Sequence, residues 1–472
     1  MLRRHWVLVA ALAGALIVYL PTLRSPFYGD DYLLLLASRD MSWPDFLRSI
    51  WDPGADPGLL RLSDTYWRPL SFLSFRVLYP IFGDSPMPYH LVMLGIHFAS
   101  VVLVYFLALR LTRNRGGAAV SALTMALHPA GFESVAWISA INSAALPLAL
   151  GGWLAFTKAV DSAPGRLRHR WLAFSLVLVA FSLAYRETAV IIVAAMLLWY
   201  LLVEVRGTWR TRRTLTLAGS HLVLLALFVA FSGLFSSDGG RDLIRFDADV
   251  PKVWWYYVKQ ALVPSVPEHG SAVFRAQQAA GVVVVMVPIL AFWRRQWLAA
   301  VLGLGFLVGL LPYAMFSLGY GPRYFYFPSA LFALFGGALF VSLAPVVERT
   351  LNANAAALAL RAGGAVASAA LVILGFQRTS EWLGLMPDVH QQWVDQLTAE
   401  YPYLPENGGL FVVNTPSSMS LFDAYILQPT VAYLYPGSEH PVYVIGAEHL
   451  DYAKSIMKPD DRIFIFNEFP QE

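Results

Sequence analysis

The run WVLVAALAGALIVYLPTL, from Trp6 to Leu23, decides the class of fold. It carries no charge and has the length a helix needs to cross about 30 Å of hydrocarbon. It follows Met1-Leu2-Arg3-Arg4, a basic start that could also introduce a secretory signal peptide. The run has no small-residue cleavage site and is long for the apolar part of such a peptide, so it reads as a retained first span. Working outward, similar runs recur near residues 5–23, 90–110, 117–128, 140–159, 171–185, 188–204, 214–234, 279–293, 297–316, 324–343 and 363–377. These predict a mainly α, polytopic helical bundle of about eleven spans. Composition agrees. Of 472 residues, 57% are hydrophobic and 14% charged, against about 45–50% and about 25% in soluble domains. The chain has no cysteine, which excludes disulfides, thiolate metal sites and a cysteine nucleophile.

The cations give the bundle a direction. Arg3 and Arg4 precede the first span; Arg110, Arg113 and Arg115 follow the second; Arg166, Arg168, His169 and Arg170 follow the fourth. Arg206, Arg210, Arg212 and Arg213 follow the sixth, Arg294 and Arg295 the eighth, and Arg349 and Arg361 the tenth. All fall on one side if the N-terminus is inside, which is what the positive-inside rule requires. The expected orientation is therefore N-in and C-out. A transmembrane domain over residues 1–377 would carry outer loops at 24–89 and 235–276, followed by a small extracytoplasmic domain at 378–472. In that tail Asp388–Glu400 reads as a helix. Leu410–Asn414, Val442–Ile445 and Ile463–Phe466 read as short strands between Pro, Gly and Asn turns, which predicts an α/β unit.

Span centres are almost free of charge, and the polar residues gather at the outer boundary. That distribution speaks against an ion path and suits a site at the lipid–water interface. Tyr28-Gly29-Asp30-Asp31-Tyr32 places two carboxylates just past the first span. Asp30 could cap an interfacial helix; a carboxylate here could equally take the proton from an attacking hydroxyl. Arg68 and His90 read either as headgroup contacts or as members of a substrate site. His128-Pro129 leads into Glu133, which serves as a helix-dipole partner or, with His128, holds a metal or orients a phosphate. Arg186-Glu187 and Arg323-Tyr324 lie in outer turns too short to escape the positive-inside bias. Arginine there points to a held anion, because guanidinium matches phosphate bidentately. A carboxylate, several arginines and aromatic rims at a membrane surface fit a sugar carried on a polyprenyl phosphate. Phosphate leaves readily, so such a site needs a base for the acceptor and cations for the departing group.

Six groups of residues carry a resemblance. These are Asp30-Asp31; Arg68-Pro69-Leu70; Tyr89-His90 with His97; His128-Pro129 with Glu133-Ser134-Val135-Ala136-Trp137; Arg186-Glu187-Thr188; and Arg323-Tyr324-Phe325-Tyr326-Phe327-Pro328-Ser329. They occur in the order seen in the transmembrane and TPR-repeat O-mannosyltransferases and their bacterial relatives. The chain thus resembles the GT-C superfamily, which also holds the protein O-mannosyltransferases and the aminoarabinose transferases of lipid A. The likeness covers residues 1–345. It implies a catalytic aspartate in the first outer loop, a polyprenyl- or dolichyl-phosphate sugar donor, and inverting transfer. By that analogy Asp31 or Asp30 is the base, Arg186 and Arg323 bind phosphate, and Glu133 positions acceptor or donor. Arg68, His90, His128, Glu187 and Tyr324 fall within its substrate-binding motifs. Three departures stand out. Arg186 replaces the usual lysine, Pro322 replaces an acid, and the small tail stands where a TPR array would be.

The expectation is a multi-pass protein of the cell (inner) membrane with its site on the extracytoplasmic side. Its partners would be the lipid bilayer, the lipid-linked donor, and an acceptor that is a glycan, lipid or protein; nucleic acid is not one. No cofactor is assigned, and a divalent metal is left open. A flippase or transporter of lipid-linked sugars, or a polysaccharide polymerase or ligase, is the alternative. A transporter would place charges within the spans and show an internal repeat, and the sequence has neither.

Overall fold

The computed structural model describes residues 5–51, 67–206, 211–235, 245–265, 267–316, 321–351, 353–406, 408–415, 423–437 and 440–466. Arg3, Arg4 and Arg210 of the cation clusters lie outside the described residues, as do 52–66 and 236–244 of the two expected loops. Among the described residues, ten helices are long and apolar enough to cross a membrane. The chain is a multi-pass membrane protein.

The first helices are α1 (Trp6–Tyr19), α2 (Asp30–Asp40), α3 (Trp43–Trp51), α4 (Pro69–Phe82), α5 (Pro86–Thr112) and α6 (Arg115–Leu127). The expected span at 117–128 is α6, whose 13 residues reach only about 20 Å at 1.5 Å per residue. It packs inside the bundle against α1, α5 and the helix Tyr326–Thr350. Small residues allow that approach. Gly117 and Ser121 meet Gly337 so closely that a Cβ on Gly337 would strike the Ser121 hydroxyl and the Gly117 carbonyl. Such small-residue contacts let membrane helices pack where lipid offers no hydrophobic drive between them.

The arginines gather at one end of the bundle. Arg110, at the foot of α5, pairs with Asp161 at 2.5 Å and with Glu204 at 3.8 Å. Arg213 donates to the Val160 carbonyl, and Arg206 lies 4.3 Å over the Trp297 ring, beside Arg294 and Arg295.

The opposite end is capped by the first loop and the tail together. The loop folds into α2, α3 and α4. The tail forms a parallel sheet of β1 (Leu410–Val413), β2 (Val442–Ile445) and β3 (Arg462–Ile465), in the order β2-β1-β3. The expected strands coincide with these to within a residue. Helices Asp423–Leu434 and Leu450–Ile456, which the sequence did not announce, supply the crossovers that parallel neighbours require. β1, in the middle, is buried along its whole length.

The tail has no core to itself. Leu33–Ala37 of α2, Phe46 of α3 and Phe75 of α4 form one apolar cluster with Trp393, Leu397, Leu410, Val412 and Leu427. Trp393 is fully buried there, and truncating such a residue costs about 3–5 kcal/mol. The tail therefore holds the first loop against the bundle.

Candidate active site

The site begins with a glycine. Gly29 takes φ +58° and ψ −121°, a conformation that residues with a Cβ rarely adopt. It turns the chain out of α1 and its short 3₁₀ extension (Leu20–Arg24) and starts α2 at Asp30. Both aspartates stand in the first helical turn, where a negative charge is favoured by the helix dipole. Their surroundings differ.

Asp31 is 1% exposed. One oxygen accepts from the Tyr28 amide at 2.9 Å. The other accepts from the Ser139 amide at 2.7 Å and from the Ser139 hydroxyl. Burial pushes its carboxyl up to about 7, although the bonds from Ser139 and Tyr28 pull the other way. Asp31 is thus a knot tying α2 to the segment after Glu133. Asp30 is only half-buried, and among the described residues no hydrogen bond or ion pair reaches its carboxylate. Burial raises its pKa, the Arg323 guanidinium draws it down, and Glu133 pushes it up.

Arg323 and Glu133 face that carboxylate as a locked pair. The Arg323 guanidinium donates to Glu133 Oε1 at 2.7 Å, and its own amide donates to Oε2 at 2.9 Å. Ser134 Oγ returns a bond to the Arg323 carbonyl at 3.0 Å. Arg323 also lies 5.0 Å from the centroids of both the Trp137 and Tyr324 rings, and Trp137 donates to the Tyr28 carbonyl at 3.1 Å. The pair joins two chain turns 190 residues apart.

A second cationic group adjoins through aromatic rings. Tyr324 stacks on Tyr313 at 5.4 Å, and Arg186 lies 5.8 Å from the Tyr313 ring and 5.3 Å from Phe327. Arg68 holds Glu187 with two parallel bonds of 2.8 and 2.6 Å. Arg186 therefore does not pair with its neighbour Glu187 but reaches the Asn142 amide oxygen at 2.9 Å. It is 3% exposed, and its Nε has no partner among the described residues. A buried guanidinium with an idle donor is costly unless an anion completes it.

Residues 68–232 match the family described as dolichyl-phosphate-mannose-protein mannosyltransferase. Protein O-mannosyl-transferase Tmtc1 of Drosophila melanogaster is 36% identical over 138 residues, which cover 27% of this chain and 16% of that protein. Protein O-mannosyl-transferase TMTC1 of Mus musculus is 29% identical over 205 residues, covering 40% of this chain and 21% of that protein. The chain thus spans about a fifth of these relatives or less. The oligosaccharyltransferase of Archaeoglobus fulgidus, solved without ligand, superposes with a TM-score of 0.51 at 13% identity, over 93% of this chain and 61% of that one. The fold is of the GT-C type. The resemblance to this superfamily therefore stands on sequence, over residues 68–232, and on architecture.

Within this GT-C fold, the two histidines stand apart from the clusters. His128 accepts from the Ala130 amide at 3.2 Å and contacts the Ala261 carbonyl at 2.9 Å, so both ring nitrogens are engaged. It stacks on Phe325 and caps the turn Pro129–Gly131. His90 contacts the Ser25 carbonyl at 3.2 Å and supports the exit of the first span. No three His, Asp or Glu side chains cluster as metal ligands among the described residues. A cavity of about 200 Å³ is lined in part by Phe132 and Pro322, the chain neighbours of Glu133 and Arg323, and by Arg378, Glu381, Trp382 and Leu385.

Three residues that bond or stack on these side chains escaped the sequence reading: Ser139, Asn142 and Tyr313. Ser139 and Asn142 left a trace, as polar side chains interrupting an apolar run at Ile138–Ala144.

Proposed function

We propose that this chain is a membrane glycosyltransferase that moves a sugar from a polyprenyl-phosphate-linked donor to an acceptor hydroxyl, with inversion, at the extracytoplasmic face of the cell membrane. One observation carries the assignment of the base: of two adjacent carboxylates Asp30 has no hydrogen-bond or ion-pair partner among the described residues, while Asp31 is consumed by Ser139 and Tyr28. Asp30 takes the acceptor proton. The acceptor oxygen attacks the anomeric carbon from the face opposite the phosphate. The bond from that carbon to the phosphate oxygen breaks, and the electron pair leaves with the lipid phosphate. Arg186, whose Nε has no partner among the described residues, meets the phosphate. Arg68 and Glu187 hold the wall beside it. Glu133 fixes Arg323, whose charge keeps Asp30 ionisable, and Tyr324 joins the two groups. A raised pKa brings a carboxylate nearer the working pH, where general bases are most effective. Support for the sugar-transfer chemistry comes from the O-mannosyltransferase relatives; support for the face comes from the arginines at the far end of the bundle.

The test is release of polyprenyl phosphate by reconstituted protein offered a panel of polyprenyl-phosphate sugars and envelope acceptors. Asp30→Asn should lower turnover by about 10²–10⁴-fold, with donor affinity kept. Wild-type turnover in that variant overturns the assignment of the base.

A further inference from the structure

We propose that the C-terminal segment completes the active site through His390, a positioning residue that fixes the backbone of Gly29 and so the aim of Asp30. The inference rests on the transferase reading above. His390 stands on the helix Pro387–Glu400 and is fully buried. The Gly29 amide donates to its Nδ1 at 3.1 Å, across 361 residues of chain. On the other side of the ring, Nε2 meets Thr430 Oγ1 at 3.3 Å, and that hydroxyl donates to the Ile426 carbonyl at 2.9 Å. The directions follow. Thr430 spends its proton on Ile426, so its oxygen accepts from Nε2–H. Nδ1 is then bare, as the Gly29 amide requires. The imidazole is held neutral, in one tautomer, by three elements: α2, its own helix and Asp423–Leu434.

The bond falls on the residue where orientation is decided. Gly29 precedes Asp30 directly and has a left-handed φ of +58°, so nothing in its own side chain fixes its torsions. Its amide also lies outside the intrahelical ladder and needs an external acceptor. The rings of Tyr28 and Tyr32 flank the imidazole edge-on, at 5.7 and 5.3 Å, so the histidine cannot turn away. An apolar residue of the same volume would fill the core equally well. What it would lack is an acceptor at the δ position. The tail thus does more than cover the site: it supplies the bond that sets the base.

Two near-isosteric variants separate positioning from packing. Asparagine puts an oxygen where Nδ1 lies and keeps an acceptor for Gly29. Glutamine puts its amide nitrogen near Nε2, keeps Thr430 and leaves Gly29 without a partner. In reconstituted full-length protein, with the polyprenyl-phosphate sugar that the wild type consumes, His390→Gln should lower kcat by up to about 100-fold, as a misplacement near 1 Å does. KM for the donor should change little. His390→Asn should recover most of kcat. Amide exchange at Gly29 should be fast in the glutamine variant and slow in the asparagine variant and wild type. The inference is overturned if glutamine keeps wild-type kcat, if asparagine is as slow as glutamine, or if Gly29 exchanges alike in all three. A wild type that releases no polyprenyl phosphate would sink the transferase reading instead, and exchange at Gly29 would still decide whether His390 holds it.

Discussion

Asp30 and Asp31 are chemically identical neighbours, and burial and bonding assign them different work. Asp31 receives three hydrogen bonds and acts as a tie; Asp30 receives none among the described residues and faces Arg323. The sequence offered both as the base and could not choose, because Ser139 lies 108 positions away and only the folded chain brings it to Asp31. A base works in its deprotonated form, so activity should rise with pH through the Asp30 pKa. Burial places that pKa above the usual carboxylate value of about 3.9. Arg323 favours the charged form, so Arg323→Met should move the acid limb of kcat/KM to still higher pH. Profiles of the two proteins check this, and a limb that stays put or moves down contradicts it. Arg186 makes a separate prediction. Its planar donors suit phosphate bidentately, which a lysine cannot reproduce. A hydrogen bond to a charged group contributes about 1.5–3 kcal/mol, so Arg186→Lys should raise donor KM by roughly ten- to a hundredfold. An unchanged donor KM would remove Arg186 from the phosphate site.

At the scale of elements, legibility followed local physics. Spans announced themselves by apolar length, and β1, β2 and β3 by short apolar runs between turn residues; both signals lie within a few neighbours. Helix Asp423–Leu434 stayed hidden because Pro429 sits inside it and helix propensity counts heavily against proline there. The short span at 117–128 raised the opposite difficulty: its length argued against a crossing, and only packing explains it. The glycines of that contact give a paired test. A Cβ on Gly337 would strike the Gly117 carbonyl and the Ser121 hydroxyl, whereas on Gly336 it would find Val120 at an ordinary 3.8 Å. Gly337→Ala should therefore cost about 1–3 kcal/mol through overpacking. Gly336→Ala should be neutral or gain up to about 1 kcal/mol from helix propensity. Thermal unfolding in detergent reads both. Equal melting would show that α6 does not pack against the helix Tyr326–Thr350 as closely as described.

For the whole molecule the decisive fact is polarity along the bundle axis. Arg110 pairs with Asp161 and Glu204 at one end, where Arg213 reaches Val160 and Arg206 covers Trp297; Asp30, Glu133, Arg186 and Arg323 lie at the other, where Gly29 bonds to His390 of the tail. The proposed chemistry works only if the second end faces away from the cytoplasm, where the sugar of a translocated lipid-linked donor is presented. The proposal puts the arginine end in the cytoplasm, as the positive-inside rule would have it, and this can be tested without activity. The native chain has no cysteine, so one introduced thiol reports one location. Ala163 is exposed in the turn between the helices Ala145–Asp161 and Arg166–Tyr185, at the arginine end. Ser455 is exposed on the tail helix Leu450–Ile456. In right-side-out vesicles a membrane-impermeant maleimide should label Ser455→Cys at once and Ala163→Cys only after detergent. Inside-out vesicles should reverse the order. Labelling of Ala163→Cys first in right-side-out vesicles would put Asp30 on the cytoplasmic face. The donor would then have to be taken from the inner leaflet, and the reaction would belong to the synthesis of a lipid-linked sugar rather than to its use outside.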